Sequence, residues 1–171
     1  MICKGTMERY ALLFLFLQIS VSVSELCPDG FELLGDRCYL FVENALEWQE
    51  ARDFCRSLSS SRSVDLAVFD LTPEDWYRVF RRAGQLGSQD YYWVGGSDHL
   101  HKGLWYWIDG RPLDAEKSYW RNEDPHELTN TSCLEIYRNS KEVFPRWRFA
   151  LVPCVGYERG FICQYELERL S

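Results

Sequence analysis

The sequence lacks the excess of positive charge that a polyanion-binding chain usually shows. Nineteen Lys and Arg face 26 Asp and Glu, a formal charge of −7, which argues against a nucleic-acid backbone as the main partner. It lacks a Cys-x-x-Cys pair among its later cysteines, so zinc has no ligand spacing to use. Neither a Gly-x-Ser-x-Gly elbow nor a His-Glu-x-x-His helix occurs, and no enzyme is expected. Internal repeats, low-complexity tracts and linkers are missing too, so 171 residues read as one domain after any leader.

What is present is an apolar fraction of 46% with 26% charged residues, enough to build a core and unlike a disordered tail. Seven cysteines and seven tryptophans stand out. The odd cysteine count is resolved by the N-terminus. Residues 1–24 read as a secretory signal peptide, with Lys4 and Arg9 as the basic region and Ala11–Leu17 as the apolar core. Ser22 and Ser24 occupy −3 and −1 of a cut before Glu25. Met7 is an alternative start. The apolar run is well short of the ~20 residues of a membrane span; a type II anchor is the competing reading, and it would leave no stalk before Cys27. Cys3 leaves with the leader, and residues 25–171 keep six cysteines and one further net negative charge. Six cysteines behind a leader imply a secreted, extracellular destination and three disulfides, for which the count alone allows fifteen pairings.

Two helices are expected. The first starts at Asn44, with Glu47 completing a capping box and Trp48, Ala51 and Cys55 forming one stripe. The second has Thr72 as N-cap, Pro73 at its first position and acidic Glu74 and Asp75 in its first turn. Its stripe is Trp76, Val79, Phe80 and Ala83, and Gly84 ends it. After Gly87 come short aromatic or β-branched runs at Tyr91–Val94, Leu104–Ile108, Cys133–Tyr137 and Gly160–Tyr165. Asp109 to Ser132 has little periodicity and reads as a long loop, a kind of segment that is often functional. The pattern is α+β with mostly antiparallel strands.

Cys27-Pro-Asp-Gly-Phe31, Cys38-Tyr-Leu-Phe41, Trp48 to Cys55, Leu66-Ala-Val68, Trp93-Val-Gly-Gly96, Trp107-Ile-Asp-Gly110, Trp120, Cys133-Leu-Glu-Ile136 and Phe161-Ile-Cys163 follow one another in an order and spacing that resembles the long-form C-type lectin-like domain. The likeness runs from Cys27 to Cys163. The run Gly95-Gly-Ser-Asp98 further resembles secreted arthropod immune lectins. The resemblance implies a C-type lectin-like fold, with two helices, antiparallel sheets, a long loop region and three disulfides. The implied pairs are Cys27–Cys38, Cys55–Cys163 and Cys133–Cys154, the second worth about 4–5 kcal/mol in the chain-entropy model. It also assigns most tryptophans, Trp93, Trp105 and Trp107 among them, to the core.

The same resemblance implies a calcium-dependent sugar site, and there the chain departs from the family pattern. Calcium takes six to eight oxygen ligands, several from carboxylates. The triplet position reads Asp124-Pro125-His126, where His126 brings a nitrogen that suits a hard cation poorly. Thr131 stands two before Cys133, and Phe149, Ala150 and Leu151 stand where oxygen ligands are expected before Cys154. Sliding the triplet to start at Trp147 brings only Arg148 and Phe149. At the auxiliary site Asp98 fits but Lys102 replaces an expected Glu; at a third, Asp70 and Glu74 lack their acidic partner because the residue is Gln164. No cofactor is therefore expected, with calcium binding weak or absent and Asp98 and Asp124 as the residual candidates.

Arg138, Lys141, Arg146 and Arg148 cluster before Cys154, beside Glu142 and interleaved with Phe144, Trp147 and Phe149. Guanidinium beside an aromatic plane suits acidic groups on a glycan or a protein hot spot, while a solvated loop with inward aromatics is the blander alternative. His99, His101 and His126 with Asp98 and Asp124 are a weaker transition-metal set. Asn130-Thr-Ser132 is a glycosylation sequon. The expected protein is thus a secreted carbohydrate-recognition module of the innate immune kind, its ligand-binding residues being Asp124, Pro125, His126, Arg146, Trp147 and Arg148. The alternative is a calcium-independent module that binds a protein or acidic surface through the basic-aromatic loop. The partner is a glycan, glycoconjugate or protein, with no nucleic acid and no stable membrane insertion; crosslinking by a single domain would need self-association.

Overall fold

A computed structural model describes residues 27–60, 64–69, 73–113, 120–121, 132–138 and 147–167. The expected leader, Cys3 and the expected cut before Glu25 lie outside the described residues. The elements are β1 (Glu32–Leu34), β2 (Arg37–Leu46), α1 (Trp48–Ser57), β3 (Val64–Leu66), α2 (Pro73–Leu86), β4 (Tyr91–His101), β5 (Leu104–Trp107), β6 (Ser132–Arg138), β7 (Trp147–Pro153) and β8 (Arg159–Tyr165). The strand order is β1-β2-β8-β4-β6-β7, with β3 also pairing β8 and β5 pairing β4. Every pairing is antiparallel except β4 with β8.

The last strand in sequence is central in space. One edge of β8 lies along β2 from Cys38↔Tyr165 to Leu46↔Arg159. Its other edge is shared, first by β3 at Tyr165 to Cys163 and then by β4 at Phe161 and Gly160. Gly160 makes the splice sterically feasible. A Cβ there would stand 2.9 Å from the Val42 carbonyl and 3.1 Å from the Tyr92 ring, closer than side chains pack.

The helices form as the apolar spacing predicts, but both boundaries differ from expectation. Asn44 belongs to β2, and α1 is capped by Glu47, whose backbone N–H donates to Glu50 at 3.2 Å. The capping box lies one turn later than the Asn44–Glu47 spacing implies, because Glu occurs at both 47 and 50. The stripe Trp48, Ala51 and Cys55 is buried as expected. Helix α2 passes through Gly84 and ends at Leu86, where Gly87 adopts φ 70° and its N–H reaches the Ala83 carbonyl. Gly84 instead clears space for Trp147, whose Nε1 would lie 3.3 Å from an added Cβ. Thr72 lies outside the described residues. Strands β1, β2, β3 and β7 were not anticipated.

All three implied disulfides are present, with Cα separations of 5.6, 5.4 and 4.9 Å. Two apolar clusters flank the sheet. One joins α2 to Tyr92, Trp107, Trp120, Phe149 and Leu151; the other joins α1 to Trp93, Phe161 and the Cys55–Cys163 bond. Trp48 and Trp93 satisfy their indole N–H groups on the Val94 and Leu46 carbonyls, each at 2.9 Å. Trp107 and Trp120 are buried, whereas Trp105 is only half-buried.

Glu135 is 1% exposed and accepts from Arg159 Nε at 2.8 Å, joining β6 to β8 across intervening β4. Removing one member of a buried pair strands the other charge. Because the Arg159 side chain stays 19% exposed, Glu135→Gln should cost about 1–3 kcal/mol in chemical denaturation, and replacing both residues by apolar ones should recover much of the loss. A single variant as stable as the parent would refute the pair's role.

The β1–β2 hairpin is held to α2 by a second pair. Arg82 donates to both Glu32 oxygens at 2.6 Å, and those hydrogen bonds, opposed by partial burial, hold the Glu32 carboxyl below its usual range. A carboxyl whose pKa is depressed by folding stabilises above its unfolded pKa of about 4.3, and the contribution fades as pH falls through the lower folded value. Stability measured from pH 6 downward should lose part of its acid dependence in Glu32→Gln. An unchanged acid limb would contradict this assignment.

Candidate functional site

Strand β7 arranges the basic-aromatic segment by simple alternation. Trp147 lies opposite Arg138, and Arg148 opposite Tyr137. Neighbouring residues in a strand point to opposite faces, so Trp147 and Arg148 do not form one patch. Trp147 and Phe149 face α2, and Phe149 is buried against Phe80, Trp107 and Trp120. On the opposite face, Arg121 stands over the Tyr137 ring at 6.0 Å, and Tyr137 stacks on Tyr91 at 5.3 Å.

On the α2 side is a cleft of about 590 Å³ lined by Trp76, Tyr77, Phe80, Arg81, Arg138 and Trp147. Arg138 lies 5.4 Å from the Trp147 ring centroid and is held by Asp90, with its Nη2 2.9 Å from Oδ1. The structure therefore joins Trp147 and Arg138 to Trp76, Tyr77 and Arg81 of α2. Trp76 packs half-buried against the core as its stripe position implies, but the apolar spacing gives no sign that Tyr77 and Arg81 share its cleft. The signal lay in Trp76-Tyr77-Arg78 and Arg81-Arg82, aromatic and basic neighbours on one short helix.

The residual calcium candidate Asp98 is 2% exposed and fully engaged. Its Oδ1 accepts from the Ser132 backbone N–H at 2.6 Å, and Oδ2 from the Gly103 N–H at 3.1 Å, with Lys102 Nζ at 3.2 Å. Asp98 thus clamps the β4–β5 hairpin to the start of β6, next to Cys133. A cation already stands there, and it belongs to the chain. Phe149, Ala150 and Leu151, at the other ligand positions, are core residues 2%, 0% and 1% exposed. Gln164 is buried and accepts from the Val68 N–H at 3.1 Å. These positions do not fit calcium.

His99 and His101 are exposed on β4, and no group of three or more His, Cys, Asp or Glu is placed to hold a metal among the described residues. Asp124, Pro125, His126, Asn130, Lys141, Arg146 and Asp70, as well as the Glu74 side chain, lie outside the described residues.

Residues 44–165 match the model of the family described as the lectin C-type domain. The chain belongs to the C-type lectin domain family. It is 31% identical over 110 residues to human C-type lectin domain family 17, member A, covering 64% of this chain and 26% of that protein. It is 32% identical over 100 residues to ladderlectin of Oncorhynchus mykiss, covering 58% and 50%. The matches thus span a quarter to a half of those relatives' lengths. Among solved structures, an SPL-1 complex with GlcNAc superposes with a TM-score of 0.66 at 26% identity, covering 81% of this chain and 93% of that one. Herring type II antifreeze protein shares the fold with a TM-score of 0.62 at 23% identity, covering 83% and 100%.

Nothing in these matches supports the arthropod likeness read from Gly95-Gly-Ser-Asp98. Packing explains its glycines: a Cβ on Gly95 would meet Ile108 at 2.8 Å and the Leu66 carbonyl at 2.9 Å, and one on Gly96 would meet Leu134 at 2.8 Å. Both positions belong to the fold.

The Asp98 clamp predicts unequal effects for its two halves. Asp98→Ala leaves buried backbone donors unsatisfied and should cost about 2–3 kcal/mol. Lys102 is about half exposed, so Lys102→Ala should cost no more than about 1 kcal/mol. Equal losses in thermal melting would show that the ammonium, and not the backbone bonds, holds the clamp.

Proposed function

We propose that this member of the C-type lectin family is a secreted carbohydrate-recognition protein that binds microbial or cell-surface glycans in innate immune recognition, with calcium dependence weak or lost. The observation that carries the calcium part is the engagement of Asp98 by Ser132, Gly103 and Lys102. The burial of Phe149, Ala150 and Leu151 agrees with it. Family membership supports a binding role in preference to a catalytic one. Secretion rests on the leader at residues 1–24 and on three disulfides, a combination suited to an oxidising compartment. A glycan on Asn130 would sit in the long loop that the family uses for sugars.

A second reading has an observation of its own. Trp147 and Arg138 line an open cleft with α2, as a calcium-independent module for a protein or acidic surface would require.

The two readings separate on a glycan array run with calcium and with EDTA. The first expects glycan signals that survive EDTA, and hexose binding abolished by EDTA would overturn the calcium argument. Signals that survive EDTA but fall in Trp147→Ala would place binding in the α2 cleft, and no glycan signal would shift weight to a protein partner. Melting with added calcium should show little shift, because a ligand that binds only the folded state must stabilise it. A large upward shift would contradict the proposal.

A further inference from the structure

The outer face of α2 carries Tyr77, Arg78, Arg81 and Arg82 within two turns. Arg82 is neutralised by its two-pronged bond to Glu32. That bond docks β1 against the helix and creates a cleft of about 340 Å³. Leu33, Leu34 and Gly35 form one wall, and Tyr77, Arg78 and Arg81 the other. Gly35 turns the hairpin at φ 77°, a conformation glycine adopts without strain, and a Cβ there would come within 3.6 Å of Arg78 Cδ.

Arg78 and Arg81 are exposed, and no carboxylate stands at ion-pair distance from either among the described residues. Asp36, at the hairpin turn, pairs with neither. Tyr77 is 60% exposed and, with Arg81, also borders the 590 Å³ aromatic cleft. The chain thus places two exposed guanidinium groups, without an ion-pair partner among the described residues, one helical turn apart beside an open tyrosine ring. It does so on a molecule of net charge −7, where such a patch is a local reversal of sign.

We propose that this face of α2 is a second, calcium-independent binding site for a sulfated saccharide chain. Guanidinium forks match the oxygens of a sulfate ester bidentately. Residues at i and i+3 of a helix stand about 5–6 Å apart at Cβ, so Arg78 and Arg81 engage one ester from two sides or two esters on adjacent sugars. Tyr77 offers an aromatic surface on which a pyranose ring can lie. The aromatic surface favours a sulfated sugar over a plain acidic peptide. The site makes no use of residues 109–132 and stands whether or not the long loop binds glycans.

The test is binding of the purified full chain, in EDTA, to size-defined heparin oligosaccharides. Chemically desulfated heparin, a phosphorylated oligosaccharide and polyglutamate of matched charge are the comparison ligands. Heparin should bind, weaken as salt screens the charges, and lose at least about tenfold in affinity in Arg78→Gln/Arg81→Gln. Tyr77→Ser should weaken heparin binding while leaving that of inorganic sulfate unchanged. Arg56→Gln/Arg111→Gln, an equal charge change away from α2, should move affinity by less than about twofold.

An equal loss in that control would reduce the effect to net charge and overturn the site. Desulfated heparin binding as tightly would overturn the role of the sulfate. Polyglutamate competing equally would replace the saccharide with an acidic peptide, and tighter binding of the phosphorylated sugar would replace sulfate with phosphate. Independently of any variant, bound heparin should protect Arg78 and Arg81 of the parent protein from phenylglyoxal, read by mass spectrometry. Unprotected arginines under saturating heparin would also overturn the proposal.

Discussion

Everything in this molecule depends on seating β8. Its neighbours are drawn from residues 38–46, 64–66 and 92–93, so the strand completes pairings that span most of the domain. Chain entropy opposes such long-range closure until several contacts form together. Three devices concentrate on this strand. Cys163 ties it to α1 across 108 residues, Gly160 lets β2 and β4 approach from either side, and Arg159 joins it to buried Glu135 on β6. The cross-link acts mainly on the unfolded ensemble, whereas the ion pair fixes the relation of β6 to β8 in the folded one.

The Asp98 clamp follows from the same economy. A long loop that leaves β5 and returns at β6 must be gathered at its base, or its closure entropy is borne by the sheet. In this chain Asp98 ties the β4–β5 turn to the start of β6, where the loop returns, with two backbone N–H groups and an ammonium four residues away. Described parts of the loop are pinned as well: the Leu113 N–H donates to the Trp105 carbonyl, and the Arg121 N–H to that of Phe149. The ammonium partner of Asp98 is thus supplied by the chain itself.

What was legible in the sequence was whatever repeats or counts. Helical stripes, cysteine order and the run of aromatic strands each leave a pattern that survives without coordinates. Boundaries were less legible, because Glu47 and Glu50 offer two capping frames, and a glycine inside a helix looks like one that ends it until Trp147 is seen beside Gly84. Strand β7 is hard to see because Trp147-Arg148-Phe149 looks like a loop patch, whereas in the strand its alternation sends successive side chains to opposite faces. Charge was legible only as a sum. The chain's acidity concealed the arginines of α2, because no formula built on totals reports which of them have partners.

The described calcium-linked positions of this chain are occupied by core side chains or by its own lysine, and changing them disturbs the packing that closes the sheet. The outer face of α2 is under no such constraint. Arg78 and Arg81 are exposed and complete no ion pair among the described residues. Arg82 and Glu32 spend their charges in holding the hairpin that walls the cleft. Neighbouring residues of one helix thus divide the work, one arginine maintaining the shape of the site and two presenting charge within it. Such a division adds recognition to a lectin fold while leaving both its core and its long loop unaltered.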